Sequence, residues 1–421
     1  MTKRLLTFLL CALLLCQGCV AFAQGTYAPP PAIPILDDAP NITNSQFVLL
    51  YEESTGTVLY VKNPRGVNPP ASMTKVMTAL LVLEYDPDLS GKTVVPPEAV
   101  SEHYCYWMDY GHLEAGEEIT VRDLMEYLLI PSGNEAATTL AAYVAGDIDT
   151  FIKMMNDKAA ELGMDKTFYA DPHGLSPYNT ISCEDMLILC REAMQYPLFR
   201  EIVSTKTGEL PKSNMRSKAY RYNTTNRVMY PRNVWEYETD FADDIVGIKT
   251  GSINEAGLNL ACCMEYDEQD LTFYSIVMHA DEVLVNGAER SGHYLDTIEL
   301  MTWARTFHKE GVSAGEQVAT AATKGSWENN IVLAAESGVQ MLTQNALQRQ
   351  ITLNEIGKEV KAGDMLGTLT LTDDFGNIRE IPLLAAADAK TDSTLLYAGI
   401  GAVAVVLVAA ALVLTKKRKV A

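Results

Sequence analysis

Residues 69–84, PPASMTKVMTALLVLE, contain the pattern on which our interpretation of the whole chain rests. The two prolines cannot continue a preceding helix but fit well just before a new one, and good helix formers follow them. We therefore predict a helix that begins at about Ser72. Ser72 and Lys75 are three residues apart, so their side chains share one helical face within hydrogen-bond distance. This spacing predicts a hydroxyl nucleophile beside an amine base.

Lys75 is followed by a segment that is apolar on nearly every face of the predicted helix, which is typical of a helix buried in a sizeable domain. Burial disfavours the ammonium form, so the pKa of Lys75 should fall and its amine could accept the Ser72 proton near neutral pH. A Ser-x-x-Lys pattern alone is weak, because about one or two arise by chance in a chain of this length. The interpretation therefore depends on further motifs.

A second motif, Ser132-Gly133-Asn134, comes after the predicted helix 121–130. A hydroxyl and an amide two residues apart in a loop can share one cleft, where Ser132 could transfer protons. Asn134 could bind a substrate carbonyl group or hold Lys75. The alternative is that this segment only caps the next helix.

A third motif, Lys249-Thr250-Gly251-Ser252, ends an apolar strand. A lysine and a threonine at a strand edge can bind a carboxylate, and a glycine lets another backbone approach closely. The backbone amides of Ser252 and Ser72 would then form an oxyanion hole.

The tripeptide Lys206-Thr207-Gly208 has the same three letters as the third motif. It leads into a polar segment without a second buried strand, whereas the motif at 249–252 lies between two apolar strands. The strand context favours the site at 249.

The three motifs, in this order, are those of penicillin-binding proteins and class A β-lactamases. Together with further segments, they make residues 45–308 resemble the low-molecular-mass D-alanyl-D-alanine carboxypeptidases, which are serine peptidases of family S11. These further segments are Asp171-Pro-His-Gly-Leu175, Gly247-Ile-Lys-Thr-Gly251 and Ala256-Gly-Leu-Asn-Leu260. The resemblance implies an enzyme that removes the terminal D-alanine from peptidoglycan stem pentapeptides and is acylated by β-lactam antibiotics.

The resemblance also implies a role for each motif residue. Ser72 would form the acyl-enzyme, Lys75 would be the general base, and Ser132 would relay the proton to the leaving group. The substrate would be bound by Asn134, Lys249, Thr250, Gly251 and Ser252, with Lys249 also helping to keep Lys75 neutral. Arg227 and Arg290 are looser candidates for carboxylate contact, and a surface ion pair is an equal alternative for each. Relatives often have histidine at the position of Ser252.

Two other functions compete with this interpretation. A class A β-lactamase needs a further base in a Glu-x-x-Leu-Asn loop between the second and third motifs, and the sequence has no such loop. A non-catalytic, membrane-anchored wall-binding protein would not need all the reactive groups that are present. The lifetime of a penicillin acyl-enzyme separates the first alternative from the carboxypeptidase.

The sequence pattern at the start of the chain predicts export, and the pattern at its end predicts a membrane anchor. Residues 1–23 have a basic start, an apolar run and an Ala-x-Ala site, as in a secretory signal peptide. Residues 395–414 form an apolar run long enough for a single transmembrane helix, and the basic tail 415–421 should stay in the cytoplasm. We therefore predict a single-pass protein of the cell membrane whose catalytic domain is extracytoplasmic.

The charge balance and the cysteine content argue against a nucleic-acid-binding protein, a disulfide-rich protein and a metal site. Of the 33 basic side chains, six lie in the two terminal segments, which leaves 27 against 54 acidic ones and argues against a nucleic-acid partner. Five cysteines remain after the signal peptide, an odd number without metal-ligand spacing, so we expect mostly free, buried thiols. We predict no metal site and no cofactor.

The predicted fold class is α+β. A Pro-rich linker, residues 24–44, leads into the catalytic domain 45–308, a β-lactamase/transpeptidase-like antiparallel sheet packed with helices. This domain should begin with a hairpin near 45–63 and end with a helix at about 295–308. Short strands with turn signals predict a small all-β domain over 311–384, ahead of the C-terminal transmembrane helix.

Overall fold

The computed structural model describes residues 36–100, 112–230, 239–326 and 329–391. The predicted signal peptide, the membrane segment 395–414, the basic tail and most of the linker lie outside these ranges. A helix with the length and hydropathy of a membrane span is absent from the described residues.

Helices and strands intermingle in the first part of the chain, up to residue 304. Its α-helices, α1 to α7, are Lys75–Tyr85, Val121–Leu129, Asn134–Ala145, Ile148–Glu161, Cys183–Ala193, Pro197–Val203 and Gly292–Ala304. Its strands, β1 to β11, are Ser45–Glu52, Thr57–Lys62, Lys92–Val94, Glu118–Thr120, Thr207–Leu210, Tyr220–Asn223, Ile245–Ile253, Gly257–Tyr266, Leu271–Ala280, Glu282–Val285 and Ala288–Ser291. The mixed α+β class and the first hairpin, β1–β2, are as predicted.

A five-stranded antiparallel sheet in the order β2-β1-β9-β8-β7 forms the centre of this part. Strands β1 and β9 are buried along almost their whole length, because helices cover both faces of the sheet. On one face Leu300 of α7 joins an apolar cluster with Val48 and Leu260. On the other face the Cys183 sulfur at the start of α5 lies 4.0 Å from the Ile276 carbonyl oxygen. Strand β7, which carries the third motif, is an edge strand of this sheet.

Helix α1 is buried from Lys75 to Leu83, as its apolar sequence predicted. It begins three residues later than predicted, because Ser72 lies in a 3₁₀ turn, Ala71–Thr74, that leads directly into the helix. In this turn the Met73 N–H donates to the Pro70 carbonyl oxygen at 3.2 Å. Such i to i+3 bonds are common where an α-helix starts.

The last helix of this part, α7, lies earlier than the predicted range of 295–308. Tight turns follow its end, with the Phe307 N–H bonded to the Ala304 carbonyl oxygen at 3.2 Å. His308 then begins a strand, β12, His308–Val312, which pairs with a later strand at Val339–Thr343. The position predicted as the end of the catalytic domain therefore falls at the start of a strand.

The remaining described residues form short strands, as predicted. After β12, strands β13 to β20 are Gln317–Ala321, Ile331–Ala335, Val339–Thr343, Gln348–Leu353, Glu359–Val360, Met365–Thr372, Ile378–Ala385 and Ala389–Lys390. Five of them form a sheet in the order β13-β14-β19-β18-β16, whose buried face includes Leu333, Leu371 and Ile381. Phe375, in the turn between β18 and β19, instead joins the apolar cluster of the first part and stacks on Phe307 at 5.6 Å between ring centroids.

We expect Phe375→Ala to lower the free energy of unfolding by about 3 kcal/mol, because the buried ring would leave a cavity against Phe307. Ile378→Ala is the matched control, since Ile378 is 56 % exposed and should cost little. Denaturant unfolding of both variants measures the difference. Equal losses of unfolding free energy in the two variants would show that the contact between Phe375 and Phe307 does not stabilise the protein.

The cysteines within the described ranges, Cys183, Cys190, Cys262 and Cys263, are free and buried, as predicted. Burial raises the pKa of the Cys262 thiol to about 12. These thiols are therefore protonated and unreactive at neutral pH. Cys105 lies outside the described residues.

Candidate active site

The Lys75 amine is fully buried and lies among three hydrogen-bond partners. Its Nζ is 2.8 Å from Ser72 Oγ, 2.7 Å from Asn134 Oδ1 and 2.7 Å from the His173 carbonyl oxygen. The two carbonyl oxygens can only accept, whereas the Ser72 hydroxyl can donate. A neutral amine fits this set, because it has two N–H bonds for the carbonyls and one lone pair for the Ser72 proton.

Burial lowers the pKa of Lys75 to about 7, although the carboxylates of Asp171 and Glu135 favour its charged form. A lysine with this pKa is neutral in a large fraction of molecules at neutral pH. It can therefore act as a general base toward the hydroxyl that contacts it.

Acylation of Ser72 should accelerate with rising pH, with a midpoint near 7, because only the neutral Lys75 amine can accept the Ser72 proton. The rate constant for labelling by a fluorescent penicillin, measured between pH 5.5 and 8.5, tests this. Thermal unfolding at each pH controls for loss of the fold. A flat profile, or a rate that falls across this range, contradicts Lys75 as the base.

The turn that carries Ser72 is packed tightly between two glycines. A Cβ atom on Gly251 would lie 2.4 Å from the Pro70 carbonyl oxygen and 3.2 Å from the Ser72 nitrogen. One on Gly174 would lie 1.8 Å from the Ala71 carbonyl oxygen. Ala71 itself has φ 49°, a conformation that L-residues other than glycine adopt rarely. The glycines thus allow strand β7 and the loop after Asp171 to approach the nucleophile.

Asn259 on β8 fixes the segment just before the nucleophile. Its amide Nδ2 donates to the carbonyl oxygens of Pro69 at 3.2 Å and Pro70 at 3.3 Å. Its Oδ1 accepts from the His279 backbone N–H at 2.8 Å. The side chain is fully buried, so these bonds tie the turn to the central sheet where water cannot compete.

Asn134, the first residue of α3, joins the second motif to the first by its hydrogen bond with the Lys75 amine. Gly133 is the N-cap of this helix, as the alternative predicts, but without a side-chain hydrogen bond, and Asn134 Oδ1 accepts from Lys75. Ser132 has φ 77°, and its Oγ is buried without a hydrogen-bond partner among the described residues. Strained backbone and an unpaired polar atom are characteristic of functional sites.

The third motif lies along β7, beside the first. Lys249 is almost completely buried, and its Nζ donates to the Thr250 carbonyl oxygen at 3.1 Å. Burial, and next the charge of Lys75, lower the pKa of Lys249 well below its usual range. Both amines are buried, and strand β7 packs against the turn that carries Ser72. The side chain of Ser252, by contrast, is exposed.

The competing tripeptide lies outside this region. Lys206 is partly exposed and its Nζ pairs with Asp243 at 2.9 Å, ahead of the β5–β6 hairpin. The exposed Arg227 begins a 3₁₀ turn, Arg227–Met229, and Arg290 lies on the two-stranded β10–β11 ribbon. Lys249 is thus buried within a strand of the central sheet, whereas Lys206 is partly exposed.

Two buried acids outside the three motifs, Asp171 and Glu135, favour the charged form of Lys75. Asp171 accepts hydrogen bonds from the backbone N–H groups of Gly174 and Ser176, both at 2.5 Å, and so holds the loop that presents the His173 carbonyl. Glu135 accepts from Tyr127 Oη at 3.2 Å, and burial raises its pKa. Glu135 leaves only a weak signal in the sequence, because an acid in the first turn of a helix usually only complements the helix dipole.

A family model described as D-alanyl-D-alanine carboxypeptidase matches residues 36–282. The carboxypeptidase DacF of Bacillus subtilis is 27 % identical over 92 % of this chain and 95 % of its own length. A D-alanyl-D-alanine endopeptidase of Pseudomonas aeruginosa is 30 % identical over 68 % of this chain and 84 % of its own.

The solved structure of the carboxypeptidase DacD from Francisella tularensis has the same fold, with a TM-score of 0.63 and 19 % identity over 87 % of this chain and 98 % of that one. The family model spans more than half of the chain and includes all three motifs. The chain therefore belongs to the D-alanyl-D-alanine carboxypeptidases, the low-molecular-mass penicillin-binding proteins of serine peptidase family S11.

Proposed function

We propose that this protein is a serine-type D-Ala-D-Ala carboxypeptidase that removes the terminal D-alanine from peptidoglycan stem pentapeptides through an acyl-enzyme on Ser72. The observation that carries the proposal is the 2.8 Å contact between Ser72 Oγ and a buried Lys75 amine whose other two partners are carbonyl oxygens. The names of the Bacillus subtilis and Francisella tularensis relatives support the same substrate.

In the first step Ser72 Oγ attacks the carbonyl carbon of the penultimate D-alanine while its proton passes to Lys75 Nζ. The negative charge that develops on the carbonyl oxygen is stabilised by the backbone amides of Ser72 and Ser252. The closeness of Gly251 to the Ser72 nitrogen supports this pairing. Preorganised amide donors of this kind contribute about 3 kcal/mol each to the transition state.

The second step breaks the peptide C–N bond. The proton that Lys75 took from Ser72 passes through the Ser132 hydroxyl to the leaving nitrogen of D-alanine, so Lys75 becomes neutral again; Ser132 Oγ has no hydrogen-bond partner among the described residues. Asn134 keeps the Lys75 amine directed at Ser72. Water then attacks the ester carbonyl carbon while Lys75 accepts the water proton and returns it to Ser72 Oγ, which releases the shortened peptide as its carboxylic acid.

The substrate's terminal carboxylate is bound by Lys249 and the Thr250 hydroxyl. In the free enzyme, burial and Lys75 disfavour a charged Lys249. A carboxylate beside Lys249 favours its ammonium form, so substrate binding restores the positive charge at Lys249. A positive charge there in turn keeps Lys75 neutral. Arg227 is a further candidate for contact with this carboxylate.

Penicillins acylate the same serine, because the β-lactam amide and its neighbouring carboxylate offer the groups of the D-alanyl-D-alanine terminus. The leaving nitrogen stays attached to the opened ring, so the acyl-enzyme is slow to hydrolyse. Rapid penicillin turnover would instead indicate the β-lactamase alternative. Absence of acylation would indicate the non-catalytic wall-binding alternative.

Mass spectrometry of a stem pentapeptide incubated with the purified protein tests the reaction directly. Loss of a single alanine, absent in a protein-free control, is the expected result. Cleavage of a cross-linked peptide dimer, with no loss of alanine from the pentapeptide, would identify an endopeptidase instead. The Pseudomonas aeruginosa relative makes this second function worth testing in the same experiment.

We further propose that the protein is exported and held at the cell membrane by residues 395–414, with the catalytic domain 45–308 and the β-rich domain 311–384 outside. The apolar run and the basic tail support this arrangement. Truncation after residue 391 should release penicillin-labelled protein from washed membranes. Retention of the truncated chain in the membrane fraction would refute the anchor.

A further inference from the structure

Thr225 lies where three parts of the site meet, although it belongs to none of the three motifs. Its Oγ1 is 2.6 Å from Thr250 Oγ1 on β7. Its backbone N–H donates at 3.1 Å to the carbonyl oxygen of Ile130, two residues before Ser132. Its carbonyl oxygen accepts from Tyr294 Oη on α7 at 2.5 Å. Contacts in three directions therefore fix the position of the Thr225 hydroxyl.

The direction of the hydroxyl-hydroxyl bond follows from the chemistry of a bound carboxylate. An ionised carboxylate only accepts hydrogen bonds, so a Thr250 hydroxyl that contacts one must donate its hydrogen to it. The bond between the two threonines must then run from Thr225 to Thr250. A hydroxyl that accepts one bond while it donates another is polarised and held in one orientation.

We propose that Thr225 is a positioning residue for carboxylate recognition, because its hydroxyl donates to Thr250 Oγ1 and directs the Thr250 hydrogen toward the carboxylate of the substrate. The inference rests on the proposed function. It deepens that function by assigning part of the carboxylate specificity to a residue outside the motifs. The matching ligand class is any acyl donor with a carboxylate next to the leaving nitrogen.

A comparison of benzylpenicillin with its methyl ester isolates the carboxylate. The acylation rate constants of Ser72 for both probes are measured with wild-type protein, Thr225→Val and Thr225→Ser. Thr225→Val removes the hydroxyl at nearly constant volume and should slow acylation by benzylpenicillin about fivefold, the size expected for one hydrogen bond. The methyl ester should be affected less than about twofold, and Thr225→Ser should restore the wild-type ratio of the two rates.

A structural role would give a different result. If Thr225 only stabilised the fold, Thr225→Val would slow both probes equally, and that outcome overturns the proposal. Thr302→Val is the matched control, since the Thr302 hydroxyl donates to the Ile298 carbonyl oxygen on the exposed side of α7. Tyr294→Phe removes the bond to the Thr225 carbonyl and should lower the benzylpenicillin-to-ester ratio as well.

Thr250→Val completes a double-mutant cycle. Without the Thr250 hydroxyl, the Thr225 hydroxyl cannot orient a hydrogen toward the carboxylate. Adding Thr225→Val should then change the benzylpenicillin-to-ester ratio of acylation rates by less than about twofold. Fully additive effects overturn the proposal. The proposed function fails separately, if wild-type protein is not acylated at Ser72 by benzylpenicillin, and the Thr225 proposal then fails with it.

Discussion

Ser72→Ala should lower both D-alanine release and penicillin acylation by at least about a thousandfold, the scale on which removal of a serine nucleophile acts. The substitution removes the hydroxyl that the proposed mechanism acylates, while the Lys75 amine keeps its contacts with Asn134 and His173. Release of D-alanine from pentapeptide and labelling by fluorescent penicillin measure the two losses. Thermal unfolding should change little, because Ser72 is only partly buried.

Ser90→Ala is the matched control for this experiment. Ser90 is an exposed serine after α1 and belongs to none of the three motifs. Its activity should stay within about threefold of wild type, since a surface substitution costs little. Substantial D-alanine release by Ser72→Ala would show that another residue is the nucleophile.

Lys249→Gln should lower the acylation rate by about a hundredfold, which is about 3 kcal/mol at the transition state. Glutamine keeps much of the volume but cannot become a cation beside the substrate's carboxylate. The loss should be larger for benzylpenicillin than for its methyl ester, which lacks that charge. Acylation rate constants for both compounds measure the effect.

Lys206→Gln is the matched control, since Lys206 has the same neighbours in sequence, Thr207 and Gly208, but pairs with the exposed Asp243. It should change acylation by less than about twofold, because surface ion pairs contribute little. Equal losses in the two variants would refute the assignment of the third motif to 249–252.

Much of the nucleophile and base arrangement was predictable because it is local. The spacing of Ser72 and Lys75 and the apolar run after them predict a contact and a desolvated amine, and the contact measures 2.8 Å. The sequence did not predict the 3₁₀ turn, because propensity does not distinguish the first turn of an α-helix from a 3₁₀ turn.

Other contacts of the site could not be predicted, because their partners are far apart in the chain. Asp171, Glu135 and Thr225 act on the motif residues, but each lies in a segment whose local pattern suggests only a turn or a helix start. The predicted start of the last helix, at about 295, is three residues late, since the helix begins at Gly292, whose N–H donates to the Asp281 carbonyl oxygen. Boundaries set by such tertiary bonds leave little trace in periodicity.

The mixed fold class, the buried helix behind Ser72 and the order of the motifs follow from local sequence, because hydrophobic periodicity and proline positions act over a few residues. Long-range packing places Asn134 and His173 within hydrogen-bond distance of the Lys75 amine, and it brings Gly251 of β7 against the Ser72 turn. It also decided the partners of Thr225. These contacts join residues separated by up to about 180 positions, and the packing of the central sheet and its helices creates them.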